Sequence, residues 1–384
     1  MTTIEYPTTT PSQAELETLE KVDDYARWQQ KEGVPSITGF YVEDLTTVDL
    51  APWPRKGGSG AFINLEGTGG VNDTHLVEIK PGGASEPERH LYEEMVYILS
   101  GRGSTSIWYD EKYKQSFEWK TGSLFAIPLN ATYQHFNASG QQPVRYIAVT
   151  NAPTVMKLFH NEDFVFNTPY AFSDRYSGDS SYFSGEGKMY KKRIWETNFV
   201  ADTRTMQLHE WKERGGGGTN VMLELAQNSM GAHISQFQIG TYKKAHRHGP
   251  GAHVIILDGV GFSLLWQEGD EEYKKCDWKP NSVVVPPENW FHQHFNTGPQ
   301  PARYLALRFS GIKFRQASKS SQTDGADVSV KLGGWQIEYE DEDFKIHEIF
   351  EEDCRKYGGV CRMKAIIPGC TGEMGPTTIR QSGE

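Results

Sequence analysis

Residues 246–252, His-Arg-His-Gly-Pro-Gly-Ala, and residues 290–296, Trp-Phe-His-Gln-His-Phe-Asn, decide the fold because each has a counterpart earlier in the chain. The counterparts are residues 88–94, Glu-Arg-His-Leu-Tyr-Glu-Glu, and residues 131–137, Ala-Thr-Tyr-Gln-His-Phe-Asn. Further matched pairs keep nearly the same spacing: Trp53 and Trp211, His75 and His233, Gly101 and Gly259, Trp108 and Trp266, Arg145 and Arg303. A spacing held over so long a stretch indicates an internal duplication.

The chain of 384 residues is long enough for two domains, and each repeat can bury a core of its own. A charged fraction of 23% and an aromatic fraction of 12% are typical of a globular protein. The net charge of -11 argues against a nucleic-acid partner, because binding to phosphates needs a concentrated basic face. No stretch is apolar enough for a signal peptide or a membrane span, so we expect a cytoplasmic protein without a membrane partner.

Short apolar runs at regular spacing predict the strands of an all-β fold. The runs lie at 95–99, 124–128, 254–257 and 283–287, and turn residues separate them. Ser12 and Glu15 form a capping-box pattern that predicts an N-terminal helix ending at Gly33, and the amphipathic residues 341–357 predict a C-terminal helix that stops at Gly358. We therefore divide the chain into an N-terminal helical arm (1–49), a first barrel (50–152), a connection (153–207), a second barrel (208–312) and a linker, helix and tail (313–384).

Two further patterns receive structural interpretations. The glycine runs at 57–60 and 215–218 occupy matching places and lack the phosphate-loop spacing, which favours turns between strands. The four cysteines, Cys276, Cys354, Cys361 and Cys370, match no zinc-site spacing and are expected to be free thiols.

The two repeats differ where metal ligands are expected. In the second repeat His246 and His248 are two residues apart on a segment that should be extended, so their side chains face the same way. A barrel that brings the strand of His292 beside them places three imidazoles around one point. Neutral imidazole binds Fe, Mn, Ni, Cu and Zn, and three ligands leave coordination positions open.

These motifs resemble the cupin superfamily, and the duplication resembles a bicupin. His246, His248, Gly259, Pro287, His292 and Asn296 fit the superfamily pattern in the second repeat. Three positions depart from it: Ala252 stands at the usual glutamate ligand, and Asn281 and Asn289 replace two glycines. In the first repeat Glu94, Gly101, Gly122, Pro128 and Asn137 fit the pattern, whereas Glu88 and Tyr133 replace two histidine ligands. The resemblance implies two jelly-roll barrels.

Within the superfamily, residues 246–252 and 290–296 look like the gentisate and salicylate ring-cleaving dioxygenases. Those bicupins also lack the glutamate and hold Fe(II) with three histidines, so the resemblance implies His246, His248 and His292 as ligands. That family usually carries its working site in the first barrel, whereas this chain keeps it in the second. Substrate identity is therefore not carried over.

Other polar residues near the predicted centre receive more than one interpretation. His294 shares a face with His292 and is a candidate acid or base, or a hydrogen-bonded histidine at the barrel mouth. Arg247, Arg303 and Arg308 are candidates for a carboxylate clamp, with a role on the strand surface as the alternative. His253 should point away from the metal, and His75 and His233 are expected to be core polar residues. Glu88, His90, Glu94 and His135 could form a weaker site in the first barrel.

The predicted function is that of a metal-dependent bicupin enzyme, in the first place a non-haem Fe(II) dioxygenase that cleaves a small hydroxylated aromatic acid or a related enolisable anion. Three neutral ligands leave a doubly positive centre, which suits an anionic substrate beside O2. An oxygen-independent isomerase, decarboxylase or lyase with Mn, Ni or Zn is the first alternative, and a non-catalytic ligand-binding bicupin is the second. We also expect a homo-oligomer.

Overall fold

The structure is a computed structural model that describes residues 9–19, 23–190, 193–314, 325, 327–370 and 372. Most of the polar linker predicted at 318–327, and nearly all of the tail after residue 370, lie outside the described residues. In the described part the α helices are α1 Gln13–Leu19, α2 Asp24–Glu32, α3 Ala152–Phe159, α4 Glu162–Asn167 and α5 Phe344–Tyr357. None of them combines the length and the apolar composition that a membrane crossing requires.

Strands dominate the rest of the described chain. In the first half they are β1 Ser36–Ile37, β2 Tyr41–Val42, β3 Ala51–Trp53, β4 Gly58–Ile63, β5 Asp73–Ile79, β6 Glu94–Ser100, β7 Arg102–Trp108, β8 Gln115–Lys120, β9 Leu124–Ile127, β10 Thr132–Asn137 and β11 Val144–Thr150. In the second half they are β12 Gly187–Tyr190, β13 Ile194–Thr197, β14 Phe199–Val200, β15 His209–Glu210, β16 Thr219–Leu225, β17 Gly231–Phe237, β18 His253–Asp258, β19 Gly261–Trp266, β20 Lys274–Trp278, β21 Val283–Val284, β22 Phe291–Asn296 and β23 Ala302–Arg308.

These strands form two barrels, each built from a large and a small sheet, and the pairing is antiparallel except for β1 with β4 and β13 with β16. In the first barrel the large sheet has the order β1-β4-β5-β11-β6-β9-β14, and the small sheet is β10-β7-β8. In the second barrel the corresponding orders are β12-β13-β16-β17-β23-β18-β21-β2 and β20-β19-β22. The predicted architecture of two all-β barrels with an N-terminal helical arm and a C-terminal helix is confirmed.

The central strands of the large sheets are buried on both faces. On β11, Tyr146 and Ala148 point into the first barrel, whereas Ile147 and Val149 join a core that includes Leu305 of the second barrel. Successive residues of a strand face opposite sides of the sheet, so one strand serves two cores. The barrels are therefore packed against each other through an apolar interface.

Each barrel also receives a strand from outside its own repeat. Tyr41 of β2, in the N-terminal arm, pairs with Val284 of β21, and Phe199 of β14, in the connection, pairs with Phe125 of β9. The two halves of the chain are interlocked by these edge pairings.

The N-terminal arm forms two helices where the sequence pattern predicted one. Ser12 and Glu15 exchange capping-box hydrogen bonds at the start of α1. Asp23 then caps α2 by accepting from the backbone N–H of Ala26 at 3.0 Å, and α2 ends at Gly33 in the left-handed conformation. A second cap starts a second helix, which is why the pattern is interrupted.

The C-terminal helix begins three residues later than predicted. Asp343 is its N-cap and accepts from the N–H of Lys345 at 3.0 Å, and the helix ends at Gly358 as expected. The preceding residues Tyr339–Asp341 form a single 3₁₀ turn instead.

A buried carboxylate fastens α2 to the first barrel. The Tyr25 hydroxyl and the Thr150 hydroxyl both donate to Asp73 on β5, and Tyr25 and Trp28 pack into the first-barrel core. Burial raises the pKa of Asp73 to about 6, although the two hydrogen bonds oppose the shift.

This raised pKa predicts a pH-dependent contribution to stability. The native state binds the Asp73 proton more tightly than the unfolded chain, so the contribution is complete below about pH 4 and is lost as the pH rises through about 6. The free energy of unfolding of wild type should fall relative to that of Asp73→Asn by at most about 3 kcal/mol over this interval. Urea unfolding of both proteins across the interval measures the difference. The exposed Asp49→Asn is the control, and a difference that is independent of pH would contradict the assignment.

Candidate metal centre

The three predicted ligands meet at the mouth of the second barrel. His246 and His248 lie on the extended segment between β17 and β18, and His292 lies on β22. The backbones of His246 and His292 exchange two hydrogen bonds, of 3.1 and 2.9 Å, which fix the segments side by side. The ring centroids are 4.2 Å apart for His246 and His292, 4.6 Å for His248 and His292, and 5.7 Å for His246 and His248.

The hydrogen bonds of the rings leave one nitrogen of each imidazole available. Nδ1 of His246 faces the carbonyl of Lys244 at 3.3 Å, and Nδ1 of His292 faces that of Trp290 at the same distance. Nδ1 of His248 faces the carbonyl of Gly249 at 2.7 Å. A carbonyl only accepts, so each Nδ1 carries the hydrogen and each Nε2 presents a lone pair.

The surroundings keep the three rings neutral. Burial lowers the pKa of His248 to about 4, and it holds the pKa values of His246 and His292 well below the usual range of histidine. The neighbouring imidazoles and the Arg214 guanidinium lower them further. A metal ligand must be a neutral imidazole, which this environment provides.

The donor set fits a divalent transition metal. One ligand atom from each of the three histidines lies within 4.8 Å of the other two, which allows a shared ion. Ala252 is buried at the place where the superfamily pattern has glutamate, so no carboxylate completes the set. Three nitrogen ligands without a fourth protein ligand are typical of a catalytic site, where positions stay open for substrate.

His294 has the opposite tautomer to that of the three proposed ligands. Trp278 Nε1 donates to the Ser263 hydroxyl at 3.1 Å, so the hydroxyl hydrogen is left for His294 Nδ1 at 2.7 Å. His294 therefore carries its hydrogen on Nε2 and acts as a donor in the barrel, 5.7 Å from His292 between ring centroids. The first barrel repeats the arrangement with Trp119, Thr105 and His135.

Sequence reasoning missed a buried lysine and tyrosine next to His294. Lys243 Nζ donates to the Tyr304 hydroxyl at 3.1 Å, and the Tyr304 ring lies 5.4 Å from that of His294. Burial raises the pKa of Tyr304, but the Lys243 ammonium and hydrogen bonds outweigh it and bring the pKa below its usual value. Burial lowers the pKa of Lys243. A signal was available, because Tyr304 matches Tyr146 in the repeat.

Arg214 also borders the centre and was not predicted. Its guanidinium is almost completely buried, pairs with Asp327 at 3.2 Å and donates to Gln336 Oε1 at 3.2 Å. Arg214 occupies the repeat position of Lys56, three residues after the matched tryptophans. The matched position therefore carries a buried cation in both barrels.

The three predicted clamp arginines have different environments. Arg247 pairs with Glu268 at 2.8 Å and lies over the Phe291 ring at 4.6 Å. Arg303 binds Gln236 Oε1 at 3.0 Å and backbone carbonyls of the loop that enters the second barrel, as Arg145 does in the first barrel. These contacts favour the structural role for Arg303 over the carboxylate clamp. Arg308 is half-buried at the end of β23, and its charge lowers the pKa of His248.

The remaining histidines lie outside the ligand group. His253 is fully buried, and burial lowers its pKa to about 4 although backbone groups of Gly251 and Leu307 oppose the shift. His75 packs edge-on against Trp53, and burial lowers its pKa to about 3. His233 stands edge-on to Tyr304 in the second barrel.

In the first barrel a lysine ammonium stands among the residues that correspond to the metal ligands. Lys56 Nζ lies 3.0 Å from Glu88 Oε1 and 3.5 Å from the Tyr133 hydroxyl, and His90 Nε2 lies 3.2 Å from Glu94 Oε2. Burial raises the pKa of Glu94, but the Lys56 ammonium and the His90 hydrogen bond outweigh it and leave the carboxyl ionised. His135 lies with Thr105 instead of joining this group. An internal cation thus compensates the carboxylates.

A comparison with domain families supports the fold of the first barrel. Residues 75–150 match the model of the cupin domain. Among solved structures, an oxalate decarboxylase of Lactobacillus farciminis in complex with formate aligns with a TM-score of 0.46 and 14% identity over 71% of this chain and 86% of its own. A variant of the Bacillus subtilis oxalate decarboxylase aligns with a TM-score of 0.46 and 13% identity over 72% and 78%. No curated protein matches the sequence.

The cupin match lies in the first barrel, and the second barrel repeats the strand order of the first. At 13–14% identity and a TM-score below 0.5, the likeness to the decarboxylases assigns no reaction. The resemblance to ring-cleaving dioxygenases stays a prediction.

Metal analysis tests the proposed ligands. The second barrel should bind about one divalent metal per chain, and His292→Ala should lose it because two imidazoles hold such an ion weakly. His253→Ala removes a buried histidine from the neighbouring strand and should keep the metal. Elemental analysis of protein purified without a nickel column gives the count. Loss of the metal in His253→Ala but not in His292→Ala would contradict the assignment.

A stability measurement tests the internal cation of the first barrel. Lys56→Met leaves the buried carboxylates of Glu88 and Glu94 without their ammonium, so the free energy of unfolding should fall by about 3 kcal/mol. The double variant Lys56→Met/Glu88→Gln should recover part of this loss. Denaturant unfolding measures both, with the exposed Lys80→Met as control. A loss no larger than that of the control would show that Lys56 does not compensate these charges.

Proposed function

We propose that the chain is a metal-dependent enzyme whose second barrel converts a small organic anion by proton transfer, without consuming oxygen. This class includes decarboxylases, isomerases and other lyases. The observation that supports it is the buried series of proton-carrying groups beside His292, namely His294, Tyr304 and Lys243.

The proposed metal ligands are His246, His248 and His292, and Mn, Ni, Zn and Fe(II) all accept such a set. A divalent ion bound there would supply Lewis-acid polarisation of a substrate oxygen. The three ligands are neutral, so the charge of the ion is not cancelled by the protein. This argues for an anionic substrate.

The chain adds its own positive charge around the centre. The charges of Arg214, Lys243 and Arg308 all act on the histidines of the second barrel, where they lower pKa values. Of these, Arg214 is paired with Asp327, so its charge is partly compensated. A carboxylate that enters the barrel would meet a cationic environment with little water to screen it.

His294, Tyr304 and Lys243 have complementary tasks in this proposal. His294 presents an N–H on Nε2 and can donate a hydrogen bond to a substrate oxygen. The lowered pKa of Tyr304 makes its hydroxyl a better proton donor than an ordinary tyrosine, and the Lys243 ammonium stabilises the phenolate that results. Decarboxylation and isomerisation both need a proton delivered to carbon, and these groups could deliver it.

The first barrel has a tyrosine at the repeat position of Tyr304 but no lysine at that of Lys243. Ser85 stands at the repeat position of Lys243, and the hydroxyl of the equivalent Tyr146 is buried without a hydrogen-bond partner. Burial raises the pKa of Tyr146 well above its usual value. The chemistry is therefore proposed for the second barrel alone.

An Fe(II) dioxygenase is the second candidate, and the absence of a carboxylate at Ala252 favours it. With three protein ligands, an ion has room for a bidentate substrate and O2 together, as the resemblance of residues 246–252 and 290–296 implies. Hydroxy acids are the substrates to test for this candidate.

Activity under strict anaerobiosis separates the two candidates. With a panel of small keto, hydroxy and dicarboxylic acids, we expect product to form in the absence of oxygen after loading with Mn, Ni, Zn or Fe(II). Tyr304→Phe should lower kcat at least about a hundredfold while the metal is retained, because it removes the proposed proton donor. Tyr146→Phe makes the same change in the first barrel and should leave kcat unchanged.

Turnover that requires oxygen and consumes it stoichiometrically would support the dioxygenase instead. Stoichiometric retention of a panel acid without turnover, also by the metal-free His246→Ala/His248→Ala variant, would indicate a ligand-binding bicupin. Equal kcat values for Tyr304→Phe and Tyr146→Phe would remove Tyr304 from the proposal.

A further inference from the structure

A second group of ligand-type side chains lies in the C-terminal region, away from the histidines of the barrel mouth. His347 and Glu351 are four residues apart and share one face of α5, and Cys361 and Cys370 come from the segment after that helix. One ligand atom from each of the four lies within 4.8 Å of all the others. His347, Cys361 and Cys370 are buried, and Glu351 is half-buried.

The distances between these atoms are close to the edges of a tetrahedron around zinc. His347 Nε2 lies 3.2 Å from Glu351 Oε1 and 4.0 Å from Cys361 Sγ. Cys370 Sγ lies 3.6 Å from Cys361 Sγ and 3.7 Å from Glu351 Oε1. Usual zinc-to-ligand bond lengths give tetrahedral edges of about 3.3–3.8 Å for this mixture of sulfur, nitrogen and oxygen.

Hydrogen bonds behind His347 orient it as a ligand. Its Nδ1 lies 3.1 Å from the Tyr242 hydroxyl, and that hydroxyl donates to Glu342 Oε1 at 2.7 Å. Because the Tyr242 hydrogen is used on Glu342, Nδ1 must donate to the Tyr242 oxygen, which leaves the lone pair of Nε2 for the cluster. Such support by a hydrogen-bonded carboxylate is typical of metal-bound histidine.

The place of the cluster in the fold suggests what a bound ion would do. The segment after α5 lies against the second barrel, where Arg362 N donates to the Gly240 carbonyl at 2.8 Å and Gly359 is too close to Thr297 to carry a side chain. Residues of α5 and of this segment pack with Tyr242, Phe262 and Phe295 in one apolar cluster. An ion would connect the helix to the segment at the rim of that cluster.

We propose that His347, Glu351, Cys361 and Cys370 form a structural Zn²⁺ site that fastens the C-terminal segment to α5 and to the second barrel. Four protein ligands leave no open position, in contrast to the three histidines of the barrel mouth, so the site is structural and not catalytic. Two soft thiolates favour Zn²⁺ over the harder Mn²⁺ or Mg²⁺.

With this site, Cys361 and Cys370 are zinc ligands and not the free thiols that the sequence predicted. Their spacing of nine residues resembles no common zinc motif, and the other two ligands come from a helix. Cys354 lies in the same apolar cluster but is not among the four grouped ligands, which makes Cys354→Ser a matched control.

Zinc content of the full chain, purified without a nickel column, tests the proposal. We expect about one equivalent of zinc that survives His292→Ala and Cys354→Ser but is lost in Cys361→Ser and in Cys370→Ser. The survival in His292→Ala separates this site from the barrel centre, so either proposal can fail alone. Glu351→Gln should weaken zinc retention against a chelating dye, because it replaces an anionic ligand with a neutral one.

Cobalt substitution in the wild-type protein gives a second readout that does not depend on a variant folding. Co²⁺ added to the metal-free protein should produce a thiolate-to-cobalt charge-transfer band in the near ultraviolet, together with the strong visible bands of tetrahedral cobalt. The Cys354→Ser protein should give the same spectrum.

Three results would overturn the proposal. One is metal-free protein that takes up neither Zn²⁺ nor Co²⁺ at this site. Another is zinc content that is unchanged in a folded Cys361→Ser variant. The last is a Cys361–Cys370 disulfide found by mass spectrometry in protein isolated without reductant, since two thiolates are then not available as ligands.

Discussion

Buried charge has to be compensated inside each barrel, and much of the site's architecture depends on how this is done. A carboxylate or ammonium removed from water costs several kcal/mol unless an opposite charge or a set of hydrogen bonds replaces the solvent. The first barrel meets the requirement within the chain, because Lys56 stands among Glu88 and Glu94. The second barrel holds neutral imidazoles and positively charged side chains instead. The two repeats therefore differ in their interior charge. In the first barrel a lysine compensates the carboxylates, whereas the second barrel has neutral imidazoles and cationic side chains.

The tautomer of each histidine follows from the hydrogen-bond partner of its Nδ1. Backbone carbonyls accept from Nδ1 of His246, His248 and His292, so these rings present lone pairs. A tryptophan and a serine assign the opposite tautomer to His294, only two residues from His292. One strand thus carries a ring that presents a lone pair, His292, and a ring that presents an N–H, His294.

The fold class could be predicted from the local patterns that the duplication repeats, and the histidine group from the positions at which the two repeats differ. Tyr304 could have been noticed because it matches Tyr146 in the repeat, but its pairing with Lys243, which is distant in the chain, could not be predicted. The same holds for Cys361 and Cys370, whose partners on α5 become neighbours only when the segment folds back. Lys56 and Arg214 could have been recognised as a matched pair of cations, because each stands three residues after a matched tryptophan. Their burial is visible only in the folded barrels. The reaction depends on the residues that line the site, and a single sequence does not show which residues these are.

The pairing of β2 with β21 has a consequence for how the chain is made. Tyr41 and Val284 are separated by more than two hundred residues, so the N-terminal arm leaves the ribosome long before its partner strand exists. Until then the arm can pack on the first barrel, through α2 and β1, and on α3 and α4. The second barrel therefore completes its sheet with a strand synthesised before any of its own, and closure of this edge is a late event of high contact order.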